Sequence, residues 1–212
     1  MARFFVVYQP VKHKSVCYFP TLMLESRYLS KEKPTPVEIH PAELIDLNEC
    51  YQLNSAYTTD YVWQMQMQNN GRRTDIRFDI VRLPRPMQVP YPRSPDELLD
   101  HWEEDHCFLV AYNKRGEVVG YIDAQAQPWQ NLLWISNLVV DKDYRRQGYG
   151  SSLLESGRQW ALKQKLHRIM LEAQTKNHPV ISFAQKHGFK FCGYNERYYA
   201  NGDIALFFSK TI

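Results

Sequence analysis

Apolar and polar positions change period several times along the chain, and each change marks an element. Tyr61–Gln68 and Asp75–Leu83 alternate around Asn69-Asn70-Gly71-Arg72, the pattern of two strands joined by a hairpin turn. Cys107–Asn113, Val118–Gln125 and Leu132–Val140 are denser apolar runs that read as strands. Gly150–Leu166 switches to helical spacing, with Leu153, Leu154, Gly157, Trp160 and Ala161 on one face. Arg168–Gln174 predicts a strand, His178–His187 a helix, and Phe189–Tyr194 and Ile204–Lys210 two closing strands. Pro41–Cys50 has helical spacing too. Between Pro84 and Pro95 fall five of the chain's 12 prolines, which predicts a stiff, extended connection. It ends in Ser94-Pro95-Asp96-Glu97, a capping-box pattern that starts a short helix reaching about Trp102. Antiparallel strands followed by strand–helix–strand–helix–strands predict an α/β (α+β) domain with helices packed on its sheet.

The ends of the chain differ in charge. Residues 1–36 carry a local net charge of +4 while the whole chain carries +3, so the remainder sits at −1. No basic stripe covers the main domain, and no nucleic-acid partner is expected. The expected organisation is an N-terminal extension over 1–36, with strand-like runs at Phe4–Tyr8 and Val16–Phe19, and a single domain over 37–212. That extension could add a strand, cover a sheet edge or exchange with a partner subunit, which leaves a homodimer open. At 212 residues, 44% of them hydrophobic, the chain can bury a core without staples. It has no apolar run of membrane-spanning length, and no membrane partner is expected. Cys17, Cys50, Cys107 and Cys192 form no CxxC pair and read as isolated thiols, which suits a cytoplasmic protein. The seven histidines show no paired ligand spacing, so no metal is assigned.

Chemistry concentrates after the third dense strand. Leu138-Val139-Val140 runs into Asp141-Lys142-Asp143-Tyr144, and then Arg145-Arg146-Gln147-Gly148-Tyr149-Gly150-Ser151 opens the amphipathic helix. Glycines at alternate positions let successive backbone N–H groups face one way without side chains blocking an anion. The helix N-terminus adds unpaired donors and the positive end of its dipole, which makes a pyrophosphate cradle. A Walker loop is excluded because no Gly-Lys-Ser/Thr follows. A Rossmann fingerprint is excluded because Leu153 stands where its third glycine belongs.

The segment resembles the pyrophosphate loop of the GNAT superfamily of acetyl-CoA-dependent N-acetyltransferases, Gln/Arg-x-x-Gly-x-Gly/Ala after a strand. A second match follows in the right order. Leu171-Glu172-Ala173 ends a strand, Asn177 opens a helix, and Phe183…Lys186-His187-Gly188-Phe189 closes it. Within the superfamily the chain is most similar to streptothricin acetyltransferases and their relatives, on Asp141–Arg145, Met170–Gln174, Tyr199-Ala200-Asn201 and Tyr61-Val62-Trp63. The resemblance implies a mixed, largely antiparallel central sheet flanked by helices. It also implies acetyl-coenzyme A as co-substrate and a small-molecule amine as acceptor, a streptothricin-like antibiotic being one candidate, with antibiotic resistance as the consequence.

It further implies cofactor contacts from the backbone of Gln147, Gly148, Tyr149, Gly150 and Ser151, with Arg145 and Arg146 adding charge. Leu138, Val139 and Val140 would pair with the pantetheine arm, and an N–H near Leu138 would face the oxyanion. Asn177, Phe183 and Lys186 occupy the family's positions on the neighbouring helix. The chain departs from the pattern at Ala184, where the thiolate-protonating Tyr usually stands, and at Ser136-Asn137, where many relatives carry acids. Glu172 as base and Tyr199 as acid or positioning group are the remaining catalytic candidates, with Asp123 a third option. The alternatives are a strand-end carboxylate bonded to loop amides for Glu172 and a packing aromatic for Tyr199. Tyr57, Asp60, Tyr61 and Trp63 are candidates for the acceptor pocket, walled by the Pro84–Pro95 stretch. Two other readings stay open: acetylation of a protein or peptide amine, and a non-catalytic acyl-CoA-binding module.

Overall fold

In the computed structural model, which describes residues 37–102 and 106–212, the chain begins with β1 (Glu38–Pro41), α1 (Leu44–Gln52), β2 (Tyr57–Asn69) and β3 (Thr74–Val89). There follow α2 (Glu97–His101), β4 (Cys107–Tyr112), β5 (Val118–Gln127), β6 (Leu132–Val140) and α3 (Tyr149–Lys163). The last elements are β7 (Arg168–Gln174), α4 (His178–Lys186), β8 (Lys190–Asn195) and β9 (Ala205–Thr211). Seven strands form one sheet in the order β1-β4-β5-β6-β7-β9-β8, and β2 pairs only with β3 in a long separate ribbon. Every neighbouring pair in the large sheet is antiparallel except β6–β7. Parallel neighbours need a crossover, and α3 supplies it. This is the mixed, largely antiparallel sheet that the sequence pattern and the family resemblance imply. The strand-like runs of residues 1–36, the extension itself and Cys17 lie outside the described residues.

Helices cover both faces. On one, α3 turns Leu153, Leu154, Gly157 and Ala161 inward over β4, β5 and β6, and α4 adds Ile181 and Ala184 to the same core. On the other, Leu47 and Cys50 of α1 and Leu98 of α2 pack with Val110, Tyr121 and Val139. β5, between these layers, is buried at every position from Val118 to Ala124, as a strand covered on both faces must be. Gly157 sets the closeness of α3: a Cβ there would stand 2.9 Å from the Ile122 Cδ1. Among the described residues Cys50, Cys107 and Cys192 are unpaired thiols, and no helix is long and apolar enough to cross a membrane.

Local departures from the sequence pattern have physical causes. β1 is too short to show a period and exists because it pairs with β4, Ile39 opposite Ala111. α1 starts at Leu44 rather than Pro41 because the Asp46 carboxylate accepts the Glu43 amide hydrogen at 2.8 Å and fixes the first turn there. β3 runs through Pro84 and Pro86 to Val89, where the sequence predicts only an extended connection. The register explains how: Tyr61 faces Arg82 and Thr59 faces Met87, so Leu83–Pro86 bulge out opposite Asp60 alone. Both prolines therefore sit where no ladder hydrogen bond is needed. The expected capping box at Ser94 does not form, and α2 starts at Glu97 with no side chain capping it. Ser94 Oγ accepts from the Asp96 amide at 3.2 Å, while Glu97 turns to Arg93 instead.

A branched side chain at position 157 would overlap Ile122. Gly157→Val is expected to lower unfolding free energy by about 1–3 kcal/mol in urea titration, with no change in the slope.

Candidate active site

The loop after β6 is built by its own side chains. Asp141 Oδ1 accepts the Asp143 amide hydrogen at 3.0 Å, and its Oδ2 accepts that of Asn54 at 2.9 Å. Arg146 and Gly148 then take left-handed backbone angles, φ 66° and 99°, turning the chain into the first turn of α3. Gly148 is in a conformation that side chains resist. Ser152 donates to the Gly148 carbonyl at 3.0 Å, but the amides of Gln147, Gly148, Tyr149, Gly150 and Ser151 find no acceptor among the described residues. Five successive donors at a helix N-terminus fit a pyrophosphate, and coenzyme A carries one. Phe183 backs the cradle, 3.7 Å from where a Cβ of residue 150 would lie. The Ser151 hydroxyl and His187 Nε2 are 3.0 Å apart, and Lys186 is exposed beside His187. Burial, and after it the Lys186 and Lys210 charges, push the His187 pKa below its usual 6.5.

Next to the cradle the sheet opens. β6 pairs with β7 over only four residues, Leu132–Ile135 against Arg168–Leu171, although both strands continue. On the other side of β6 the register with β5 slips between Asp123 and Ala124, leaving Ser136 as an extra residue. The cleft so opened measures about 480 Å³ out to its mouth and is lined by Leu138, Leu171–Gln174, Asn177 and Val180. Tyr91, Pro92, Arg93 and Tyr199 also line it. Asp141 donates to the Val119 carbonyl at 2.9 Å, so by alternation Val139 faces β5 with its backbone, while Leu138 and Val140 face the opening. Asn177 lines the cleft with its side-chain oxygen capping α4, accepting from the Val180 amide at 3.2 Å.

Polar groups gather on the far wall. The Glu172 side chain is 3% exposed. Arg93 donates to its Oε1 at 2.8 Å, and its Oε2 has no partner. Glu172 is thus not bonded to loop amides. Burial alone would lower the Arg93 pKa, but the Glu172 carboxylate outweighs it and holds the guanidinium more firmly charged than usual. Burial, together with the Glu172 charge, pushes the Tyr199 phenol well above its usual range, and moves Tyr198 to about 12. Both phenols therefore keep their protons at neutral pH. Asp123, 1% exposed, lies deeper, bonded to Asn137 Nδ2 at 2.8 Å and to His101 Nδ1 at 2.9 Å.

Other candidates are placed elsewhere. Arg145 is not aimed at an anion: its Nε donates to the Val140 carbonyl at 2.8 Å and its two terminal nitrogens to Ala56 at 2.8 Å and Asn54 at 2.9 Å. It ties the loop before β2 to the end of β6. Arg146 is exposed beside the cradle. Tyr57, Asp60, Tyr61 and Trp63 do not line the cleft. Tyr57 donates to Gln174 Oε1 at 2.8 Å from a buried position, Asp60 is the exposed residue at the ribbon bulge, and Trp63 packs edge-on to Phe208. Tyr91, Arg93 and His101 are site residues that the sequence did not single out, and Asn137 entered only as a departure from the family pattern. The proline-rich stretch signalled a wall, and two of them lie in it.

Residues 78–189 match the model of the acetyltransferase (GNAT) family. Over 104 residues the chain is 33% identical to the streptothricin acetyltransferase of Escherichia coli, a match spanning 49% of this chain and 58% of that protein. The crystal structure of nourseothricin acetyltransferase superposes with a TM-score of 0.70 at 22% identity, over 82% of this chain and 98% of that one. A Bacillus anthracis protein described as a streptothricin acetyltransferase, solved with acetyl coenzyme A, gives 0.67 at 22% identity, over 84% and 100%. At such identities the two structures share the fold.

Two outcomes follow from these contacts. Arg145→Ala removes three hydrogen bonds from a charged donor and is expected to cost about 2–4 kcal/mol of stability, read by chemical denaturation. Because His187 is harder to protonate folded than unfolded, the unfolded state binds more protons and stability falls as pH drops below 6.5. His187→Gln should flatten that dependence between about pH 7 and 5, read as melting temperature against pH.

Proposed function

The chain belongs to the acetyltransferase (GNAT) family, and on that footing we propose that it transfers an acetyl group from acetyl-coenzyme A directly to a primary amine of a small molecule, with a streptothricin-like antibiotic the first acceptor to test. The observation that carries this reading is the Glu172 carboxylate. It is sealed from bulk water at the cleft between β6 and β7, one oxygen held by Arg93 and the other left without a partner. A proton acceptor so placed is what an ammonium substrate needs before it can attack.

The chain's own residues divide the work. The amides of Gln147–Ser151 hold the pyrophosphate, and the cleft-facing backbone of Leu138 with the N–H of Val140, whose carbonyl Arg145 holds, takes the amides of the pantetheine arm. When bound, acetyl-coenzyme A supplies the acetyl group as an activated thioester. Glu172 Oε2 takes a proton from the amine. The Tyr199 phenol, protonated and in the wall of the same cleft, returns one to the departing sulfur. A strand N–H near Leu138 is the candidate donor where negative charge develops on the carbonyl. Tyr91, Pro92, Arg93 and Tyr199 all wall this one cleft with bulky side chains, which favours a compact amine over an extended peptide.

The test is thiol release from acetyl-coenzyme A across streptothricin, polyamines, aminoglycosides and short peptides, beside thermal shift with coenzyme A. Amine-dependent release is expected, and Glu172→Gln should lower kcat/KM by about 100- to 10,000-fold with the coenzyme A shift retained. A coenzyme A shift without turnover on any amine would sink the transferase reading, and no shift would sink the cradle.

A further inference from the structure

Tyr91 stands at the seam of two clefts. Besides the opening between β6 and β7, it borders a second cleft of about 330 Å³ walled by Tyr51, Ser55, Ser94 and Tyr121, and only Arg93 shares both walls with it. Its hydroxyl is oriented by a buried chain whose polarity is forced. An ionised carboxylate only accepts and an amide nitrogen only donates. Asp123 Oδ2, taking Asn137 Nδ2 at 2.8 Å and His101 Nδ1 at 2.9 Å, therefore turns the Asn137 carbonyl towards Tyr91. The Tyr91 hydroxyl donates to that carbonyl at 2.9 Å. Its one hydrogen is thereby committed, and with the Leu138 backbone amide also at its oxygen, what it can offer to other groups is the remaining lone pair.

An ammonium has the complementary chemistry, three N–H donors and no acceptor. Resting on the acetyl-transfer reading, we propose that Tyr91 positions the acceptor amine. Its Oη accepts one N–H, with the body of the acceptor in the second cleft. An amine that has lost its proton still needs an N–H for this contact, so primary amines suit it and tertiary ones do not. The chain through Asn137 fixes orientation and does not conduct protons, because an amide cannot take up a proton and pass it on at neutral pH. The amine proton therefore goes to Glu172 and not outward through His101.

The experiment is steady-state kinetics of Tyr91→Phe on each panel amine that the wild-type chain acetylates, streptothricin and spermidine first. The amine KM is expected to rise about 10- to 100-fold, while the acetyl-coenzyme A KM and the coenzyme A thermal shift stay as in the wild type. Asn137→Leu keeps the phenol but frees its hydrogen, so it should raise the amine KM by less and add nothing in the Tyr91→Phe background. An unchanged amine KM in Tyr91→Phe overturns the proposal. So does a parallel rise in both KM values or a lost coenzyme A shift, which would mark Tyr91 as wall packing. A wild-type chain that acetylates no amine overturns the transferase reading and this inference with it, an outcome distinct from active enzyme indifferent to Tyr91.

Discussion

The parting of β6 from β7 after four paired residues is the constraint on which the site depends. A strand that leaves its neighbour inside a folded domain strands backbone N–H and C=O groups, and buried groups of that kind demand partners. Here the extra residue at Ser136 redirects β6, and the polar edge that results faces a cleft. Such an edge costs stability when empty and is complementary to an amide-bearing ligand. The same geometry places the Gln147–Ser151 amides one short loop further on, so donors for an anion and an edge for an amide chain lie in sequence along one path. A sheet that stayed paired to Val140 would have neither.

A buried carboxylate imposes the second condition. A carboxylate as buried as Glu172, 3% exposed, destabilises the fold unless it is paired, and Arg93 supplies the partner from 79 residues away. That partner arrives by way of the β2–β3 ribbon. Its bulge at Leu83–Pro86 absorbs two prolines and lets β3 run on to Val89, after which Tyr91, Pro92 and Arg93 come back across the cleft. Arg145 and Asp141 secure the other end of the arrangement by holding the Asn54–Ala56 loop against the cradle. The stretch with the weakest secondary-structure signal thus carries the groups that complete the site.

Much of the architecture was legible in the chain. β6 and β7 have the bounds that their apolar runs predict, and α3 begins within one residue of its expected start, because period and glycine punctuation are local properties. The cradle was legible for the same reason: consecutive amides at a helix start follow from backbone conformation, and that follows from glycine spacing. Glu172 was named as a candidate because of the family resemblance, and its ion pair with Arg93 was not legible. The family resemblance implied that Arg145 adds charge at the anion cradle. Its true partners, Asn54 and Ala56, are 91 and 89 residues away, and no local pattern points to them.

What the sequence determined by itself is the set of properties that neighbours in the chain decide: strand and helix periods, the turn after β6, and the donors at the start of α3. What only the tertiary structure decided are the pairings across the sheet. These include the splay of β6 from β7, the Arg93–Glu172 contact, and the chain from His101 through Asp123 and Asn137 to Tyr91. Each of those depends on register and on where long loops return. A hydrogen bond between residues many tens of positions apart leaves no period in either segment, because it is set by the packing of elements that neither residue belongs to alone.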